Sequence, residues 1–286
     1  MIIRWYAVLF WDLFLATEVL GFLQCGLFHD QNRLSRHAST LNVVRGPDPK
    51  TKPDYENIHG PLGKQLDNLF LKLFRSRLAA NIGVDSSLPK DDYSAIIELS
   101  VAMNARFSDR REIQKRAQQT LRDLFPSWLP KQYAILFSKP FPEFSARMNA
   151  WATRMGGTWL MGECEVNDVE INGEIFKNQG LLVKRCRFLE ESGCASVCVN
   201  ACKIPTQNFF IEDMGLPLTI TPDYETHECQ FSFGKMPSLN EEIEAKNTPC
   251  LSRCPSAGEY RMKHNKQIAS TSIRGEESVC QYMDGV

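Results

Sequence analysis

From Pro61 onward the apolar positions recur with a helical period. Leu62, Leu66, Leu69, Phe70, Leu73, Phe74 and Leu78 fall on one stripe, and Gly83 is placed to end the run as a C-cap. A second helix is predicted from Asp91 to about Phe107, with Tyr93, Ile96, Ile97 and Val101 on its apolar side. Ser108 is placed to cap a third, reaching Phe125, with Ile113, Ala117, Leu121 and Leu124 inward and Arg110, Arg111, Lys115, Arg116 and Arg122 outward. Pro126 and Pro130 break the chain around Trp128. A fourth helix follows Pro142, puts Phe144, Met148, Trp151 and Met155 at core spacing and ends at Gly156-Gly157.

Beyond the glycine pair the period shortens. Trp159 to Val166 and Ile175 to Cys186 carry alternating and β-branched runs with the turn-forming NDVEING between them, which predicts two or three strands. A helix bearing cysteines follows, with Ser192 and Gly193 as its start signal. Ile204, ahead of Pro205, is biased away from helical backbone and should kink or end it. Pro205 can open a short helix, TQNFFIEDMG, that stops at Gly215. Leu218 to Thr221 and Glu228 to Phe233 read as a hairpin around PDYET, with Cys229 on its second strand. The predicted class is α+β: an N-terminal helical bundle packed on a small β-sheet region that carries a cysteine-rich helix.

The N-terminal segment fits neither half. Met1 to Phe28 is apolar and aromatic but holds Arg4, Asp12 and Glu18, and acids are costly at a bilayer centre, so a cleavable targeting segment fits better than a stable membrane span. Arg33 to Arg45 (RLSRHASTLNVVR) has three arginines, hydroxyl residues and no acid, the composition of an organelle transit peptide. The two in series fit import into a plastid, with a disordered arm as the competing reading. Gly46 to Tyr55 (GPDPKTKPDY) reads as linker. Four regions result: 1–55 targeting segment and linker, 56–157 helical, 158–258 cysteine-rich, and 259–286 a polar, flexible tail.

Composition narrows the function classes. In 286 residues, 33 Lys+Arg against 34 Asp+Glu leave no overall field that favours nucleic acid. Ten cysteines are too few for a disulfide-dense miniprotein of this length, and six fall between Cys194 and Cys254. Cys194, Cys198 and Cys202 recur every fourth residue, so on an ideal α-helix each thiol is rotated only about 40° from the last. A shared thiol face suits a metal centre, which Cys229 and the CLSRCP of Cys250 to Pro255 could complete. The gaps are not those of ferredoxins, so spacing leaves iron–sulfur, structural zinc and disulfides with outside partners all open.

The block from Lys184 to Met236 resembles the C-terminal domain of the plastid β-carotene isomerase family of the strigolactone pathway, the Dwarf-twenty-seven-like family. The stretches that carry the likeness are CRFLEESGCASVCVNACKIPTQNFF, MGLPLTITPDYETHECQFSFGKMP and CLSRCP. The resemblance implies an iron-containing plastid enzyme that interconverts all-trans- and 9-cis-β-carotene, with the iron as an iron–sulfur cluster and zinc as the rival metal. On the family pattern Cys194, Cys198, Cys202, Cys229, Cys250 and Cys254 are the candidate ligands, more than one cluster's four. His227 could ligate or donate a hydrogen bond nearby, as could Glu225 and Glu228 accept one. A hydrocarbon substrate must be recognised by apolar area and shape, for which Phe209, Phe210, Phe231, Phe233 and Met236 are candidate lining, with core packing as the alternative role. Such a substrate would be drawn from a membrane, touched by the basic third helix or an apolar patch. Other classes compatible with the thiols are an iron–sulfur electron carrier and a zinc- or disulfide-stabilised carotenoid-binding module.

Overall fold

A helix can carry two apolar stripes, and only packing decides which is buried. In the computed structural model, which describes residues 46–239 apart from 57, 59, 60 and 108, the first long helix is α1 (Pro61–Ile82). It buries Leu71, Leu78 and Ile82, whereas Leu66, Leu69, Phe70 and Leu73 are exposed and Phe74 is half-buried. The side chain of Leu62 lies outside the described residues. Of the expected stripe, Leu78 reaches the core, while Leu66, Leu69, Phe70 and Leu73 form the outer side. The buried stripe was disguised by Arg75 in its middle, 4% exposed, whose guanidinium donates to the carbonyls of Ser86 (2.6 Å) and Leu88 (3.0 Å) and to Asp85 (2.9 Å). A cation with that many acceptors can be buried at a position that periodicity reserves for leucine. Gly83, at φ 83°, ends the helix as expected.

Next come α2 (Ser94–Arg106), with Ile96, Leu99 and Met103 buried, and α3 (Arg110–Arg122), with Ile113 and Ala117 buried. The expected cap Ser108 lies outside the described residues; the carboxylate of Asp109 accepts from the Arg111 N–H at 2.9 Å. A short α4 (Leu129–Tyr133) runs into a π-helical turn, Ala134–Ser138. Then α5 (Pro142–Met161) continues through Gly156-Gly157 instead of stopping there. A helical glycine costs only about 1 kcal/mol, and burial of Trp159 and Met161 beyond the pair offsets that. The stop is Gly162 at φ 93°, where a Cβ would meet the Arg185 carbonyl oxygen at 2.9 Å.

Strands β1 (Cys164–Ile171) and β2 (Glu174–Val183) are joined by Asn172 and Gly173 alone, at φ 54° and 84°, the positive pair that a two-residue hairpin turn demands. Trp159 to Met161, expected as strand, belong to α5. After the cysteine segment, β3 (Leu218–Pro222) and β4 (Cys229–Phe233) complete an antiparallel sheet in the order β1-β2-β4-β3. Leu181 pairs with Phe231 and Val183 with Cys229, while Ile220 and Leu218 face Phe231 and Phe233 from the other side. Strand alternation puts these residues on one apolar face, all buried. The α+β expectation holds, with the helices first and the sheet after them.

Candidate functional site

The cysteine segment is not one helix. Gly193, at φ 56°, ends α6 (Arg187–Ser192), and Cys194 is extended (φ −138°, ψ 115°) as the N-cap of the single-turn α7 (Ala195–Val197). From Cys198 to Lys203 the backbone is a π turn, closed by the Ile204 N–H on the Val199 carbonyl, and it passes without a break into α8 (Ile204–Asn208) and a second π turn, Phe209–Asp213. Pro205 does not end the run, because a proline in a first turn needs no N–H partner. Gly215, at φ 65°, does. Single π turns within helices concentrate at functional sites.

This break changes which thiols meet. Cys194, outside the helical run, points its Sγ to Ser196 Oγ at 3.2 Å. Cys198 and Cys202 stay within one turn of each other, and they share an electrostatic neighbourhood with Cys229, at the start of β4, and Cys186, at the end of the loop leaving β2. Burial first, then neighbouring Cys186, Cys198 and Cys202, push the Cys229 thiol well above its usual range. Cys198 is driven the same way by burial, Cys202 and Cys186, with Lys203 pulling against them. Burial and Cys186 take Cys202 to about 12. Cys186 itself is pushed up to about 11 by burial, against N–H groups of Leu189 and Phe188 that favour its thiolate. Cys164, raised to about 12 by burial, also feels Cys186. All six described cysteines are thiols rather than disulfides.

Cys186 was missed by the spacing argument because Glu190 stands at the step between it and Cys194; its backbone is tied to the approach to strand β4, its N–H donating to the His227 carbonyl at 2.7 Å. Its place in the same CRFLEESGC run was the available signal. His227 is buried with φ 62°, and Glu225 and Glu228 are exposed. Cys250 and Cys254 lie outside the described residues. Among the described residues no three His, Cys, Asp or Glu side chains stand in the arrangement of a single-ion site. Sulfur is nonetheless the donor that iron–sulfur centres and zinc favour over a hard cation, and Cys186, Cys198 and Cys229 are buried while Cys202 is half-buried.

Two polar systems hold the thiols in place. On one side Asn104 Nδ2 donates to Ser196 Oγ (2.9 Å), Asn200 Nδ2 to Asn104 Oδ1 (3.3 Å) and Gln114 Nε2 to Asn200 Oδ1 (3.0 Å), tying the π turn to α2 and α3. On the other, Arg185 pairs with Glu190 at 2.5 Å, Tyr55 Oη donates to Glu190 at 2.6 Å, and Arg187 lies 3.6 Å over the Tyr93 ring while pairing with Glu191 and Glu56. Burial alone would raise the Glu190 carboxyl, but Arg185 and Tyr55 hold it below the usual range. Burial raises the Tyr93 hydroxyl well above its own. The Gly46–Tyr55 stretch, expected as linker, is part of this clamp: Arg185 also donates to the Thr51 carbonyl at 2.9 Å.

Aromatic rings lead from the surface toward β4. Phe125, 41% exposed, stacks on buried Phe209 with centroids 5.7 Å apart; Phe209 meets Phe210 at 5.6 Å, and Phe210 meets Phe233 at 5.3 Å. Phe233 shares its strand face with Cys229. Of the expected lining, Phe209, Phe231 and Phe233 are buried and Phe210 half-buried, while Met236 is exposed.

Residues 159–242 match the family model described as "Beta-carotene isomerase D27-like, C-terminal". The chain is 29% identical over 204 residues to "Beta-carotene isomerase D27, chloroplastic" of Arabidopsis thaliana, a match covering 69% of this chain and 75% of that protein. To the protein of the same name from Medicago truncatula it is 28% identical over 192 residues, 66% of this chain and 74% of the relative. No solved structure matches the chain. The stretch that matches the family model begins in the last turn of α5 and contains every described cysteine.

Proposed function

We propose that the protein is a carotenoid cis/trans isomerase of the plastid, acting on all-trans-β-carotene or a related carotenoid to give a 9-cis product. The observation that carries this reading is the D27-like match over residues 159–242, because the buried thiol group falls inside it. The chloroplastic relatives of the same name support the compartment and the substrate class.

The cofactor we assign is iron, as a thiolate-held cluster. Cys186, Cys198, Cys202 and Cys229 would hold it, with Cys250 and Cys254 as further candidates. When bound, such a centre supplies one-electron exchange, which transiently lowers the bond order of a polyene double bond with no net redox change. The chain's own contribution is the environment. Burial of the thiols keeps water from the site, the asparagine–glutamine and arginine–glutamate clamps hold the sulfurs' backbone, and the ring ladder from Phe125 to Phe233 offers a wholly apolar approach for a hydrocarbon that makes no hydrogen bonds.

The test is anaerobic purification with iron and sulfide analysis, then incubation with all-trans-β-carotene and chromatographic separation of isomers. Iron in the protein and a changed cis/trans ratio are expected; pigment left unaltered by iron-loaded protein refutes the enzyme reading. Serine at Cys186, Cys198, Cys202 or Cys229 should each lower the iron content.

A further inference from the structure

Between Phe125 and Met155 the usual polarity of a folded segment is inverted. The inward positions are small or polar: Ala146 and Ala150 are fully buried, as is Ser145, while Ser138 and Asn149 are 4% and 7% exposed. These polar groups satisfy one another, with Asn149 Nδ2 donating to Tyr133 Oη at 2.7 Å, Tyr133 Oη against Ser145 Oγ at 2.8 Å, and Ser138 Oγ donating to the Met214 carbonyl at 2.7 Å. The outward positions are large and apolar: Trp128 and Phe141 are each 60% exposed, Met155 58%, and Ile135 and Leu136 each 56%. Such a group of large apolar side chains marks an interaction surface.

Charge says what kind. From Leu124 to Met161 the chain holds four cations, Lys131, Lys139, Arg147 and Arg154, against one acid, Glu143, in a protein whose total is 33 against 34. Lys131, Lys139, Arg147 and Arg154 are all exposed around the apolar side chains. Of these four, Arg147 pairs with Glu143 at 3.6 Å; in the basic α3, Arg116 pairs with Glu112 and stacks 4.2 Å over Phe107, and Arg122 pairs with Asp213 and Glu212. Among the described residues no helix is long and apolar enough to cross a membrane.

The geometry points to this face, α4 with its π turn and the outer side of α5, as a docking surface for an anionic lipid bilayer, into whose interface Trp128, Ile135, Leu136 and Phe141 insert while the four cations meet headgroups. Phe125, the outer end of the ring ladder, stands at the N-terminal edge of this segment, so docking places the apolar approach at the lipid. The purpose of docking rests on the carotenoid reading; the docking itself does not.

The test is co-flotation of the full-length protein with vesicles of phosphatidylcholine, with and without phosphatidylglycerol, and a parallel isomerisation assay with β-carotene carried in vesicles or in detergent micelles. The parent is expected to float with the anionic vesicles. Trp128→Ser, Leu136→Ser and Phe141→Ser together should weaken binding at least about tenfold, and Lys131→Gln or Lys139→Gln about fivefold each. The triple variant should lose turnover of vesicle-borne carotene and keep it in micelles. A parent that does not float, a triple variant that floats equally well, or a dimer that only the parent forms without binding vesicles overturns the proposal. Flotation as expected with no isomerisation in either carrier upholds docking and removes the carotenoid reading.

Discussion

The segments 129–161 and 187–213 are built alike and face opposite ways. Each contains a short α piece beside a π turn and a proline at a helix start, Pro130 and Pro142 in the first and Pro205 in the second. In 187–213 Cys194, Cys198, Val197 and Phe209 turn inward together with the fully buried Ser196 and Asn200; in 129–155 serine, asparagine and alanine turn inward and the large apolar side chains turn out. What each segment packs against makes the difference. Where α5 crosses the sheet, a Cβ on Gly234 would meet Ala146 Cβ at 4.0 Å, which leaves space for alanine and not for phenylalanine. Amphipathic period therefore fixes that a helix has two faces, while the neighbour's shape fixes which one is core.

The sharpest way to break this comparison is at the clamp of the cysteine segment. Glu190→Gln leaves Arg185 buried without its charge partner and should cost about 3–5 kcal/mol, read by chemical denaturation. The same carboxylate sets an acid limit. Its folded value lies below the unfolded 4.5, so its stabilisation is complete above that pH and is lost as pH falls through the lower folded value. The parent's denaturation midpoint should therefore drop below about pH 4.5 more steeply than that of Glu190→Gln. Next comes Ala146→Leu, which forces volume into the close α5–sheet contact and should cost about 1–3 kcal/mol. The smallest effect is expected on the outer face, where Leu136→Ser should change stability by no more than about 0.5 kcal/mol, although it removes a larger side chain than Ala146. A large loss at Leu136 would show that face to be core, and the inversion would fail.

Local chemistry was legible wherever one residue type decides the backbone. Asn172-Gly173 gave the β1–β2 turn, Gly83 and Gly215 gave two helix ends, and the hairpin carrying Cys229 fell where alternation put it. Choices made by tertiary partners were not legible. Arg75 occupies a core stripe because three backbone carbonyls and Asp85 await it, and those acceptors lie 10 to 14 residues further on. The thiol group illustrates both cases. Cys198, Cys202 and Cys229 were identified from spacing and from the family likeness, and Cys198 and Cys202 both help to push the Cys229 thiol up. Cys194 is extended, as the N-cap of α7, so it does not continue the helical thiol face, and Cys186 was passed over because it sits in the loop between β2 and α6.

The strap at residues 46–56 has a consequence for how the chain can be matured. Arg185 reaches the Asp48 and Thr51 carbonyls, Glu190 holds Tyr55, Arg187 holds Glu56, and Gly46 lies against the His227 ring so closely that a Cβ there would meet Nε2 at 2.8 Å. A protease that severed the chain inside this strap would strip acceptors from both arginines beside Cys186. Any N-terminal trimming compatible with an intact thiol pocket must therefore end before Gly46, which makes the strap a ruler for the cleavage point.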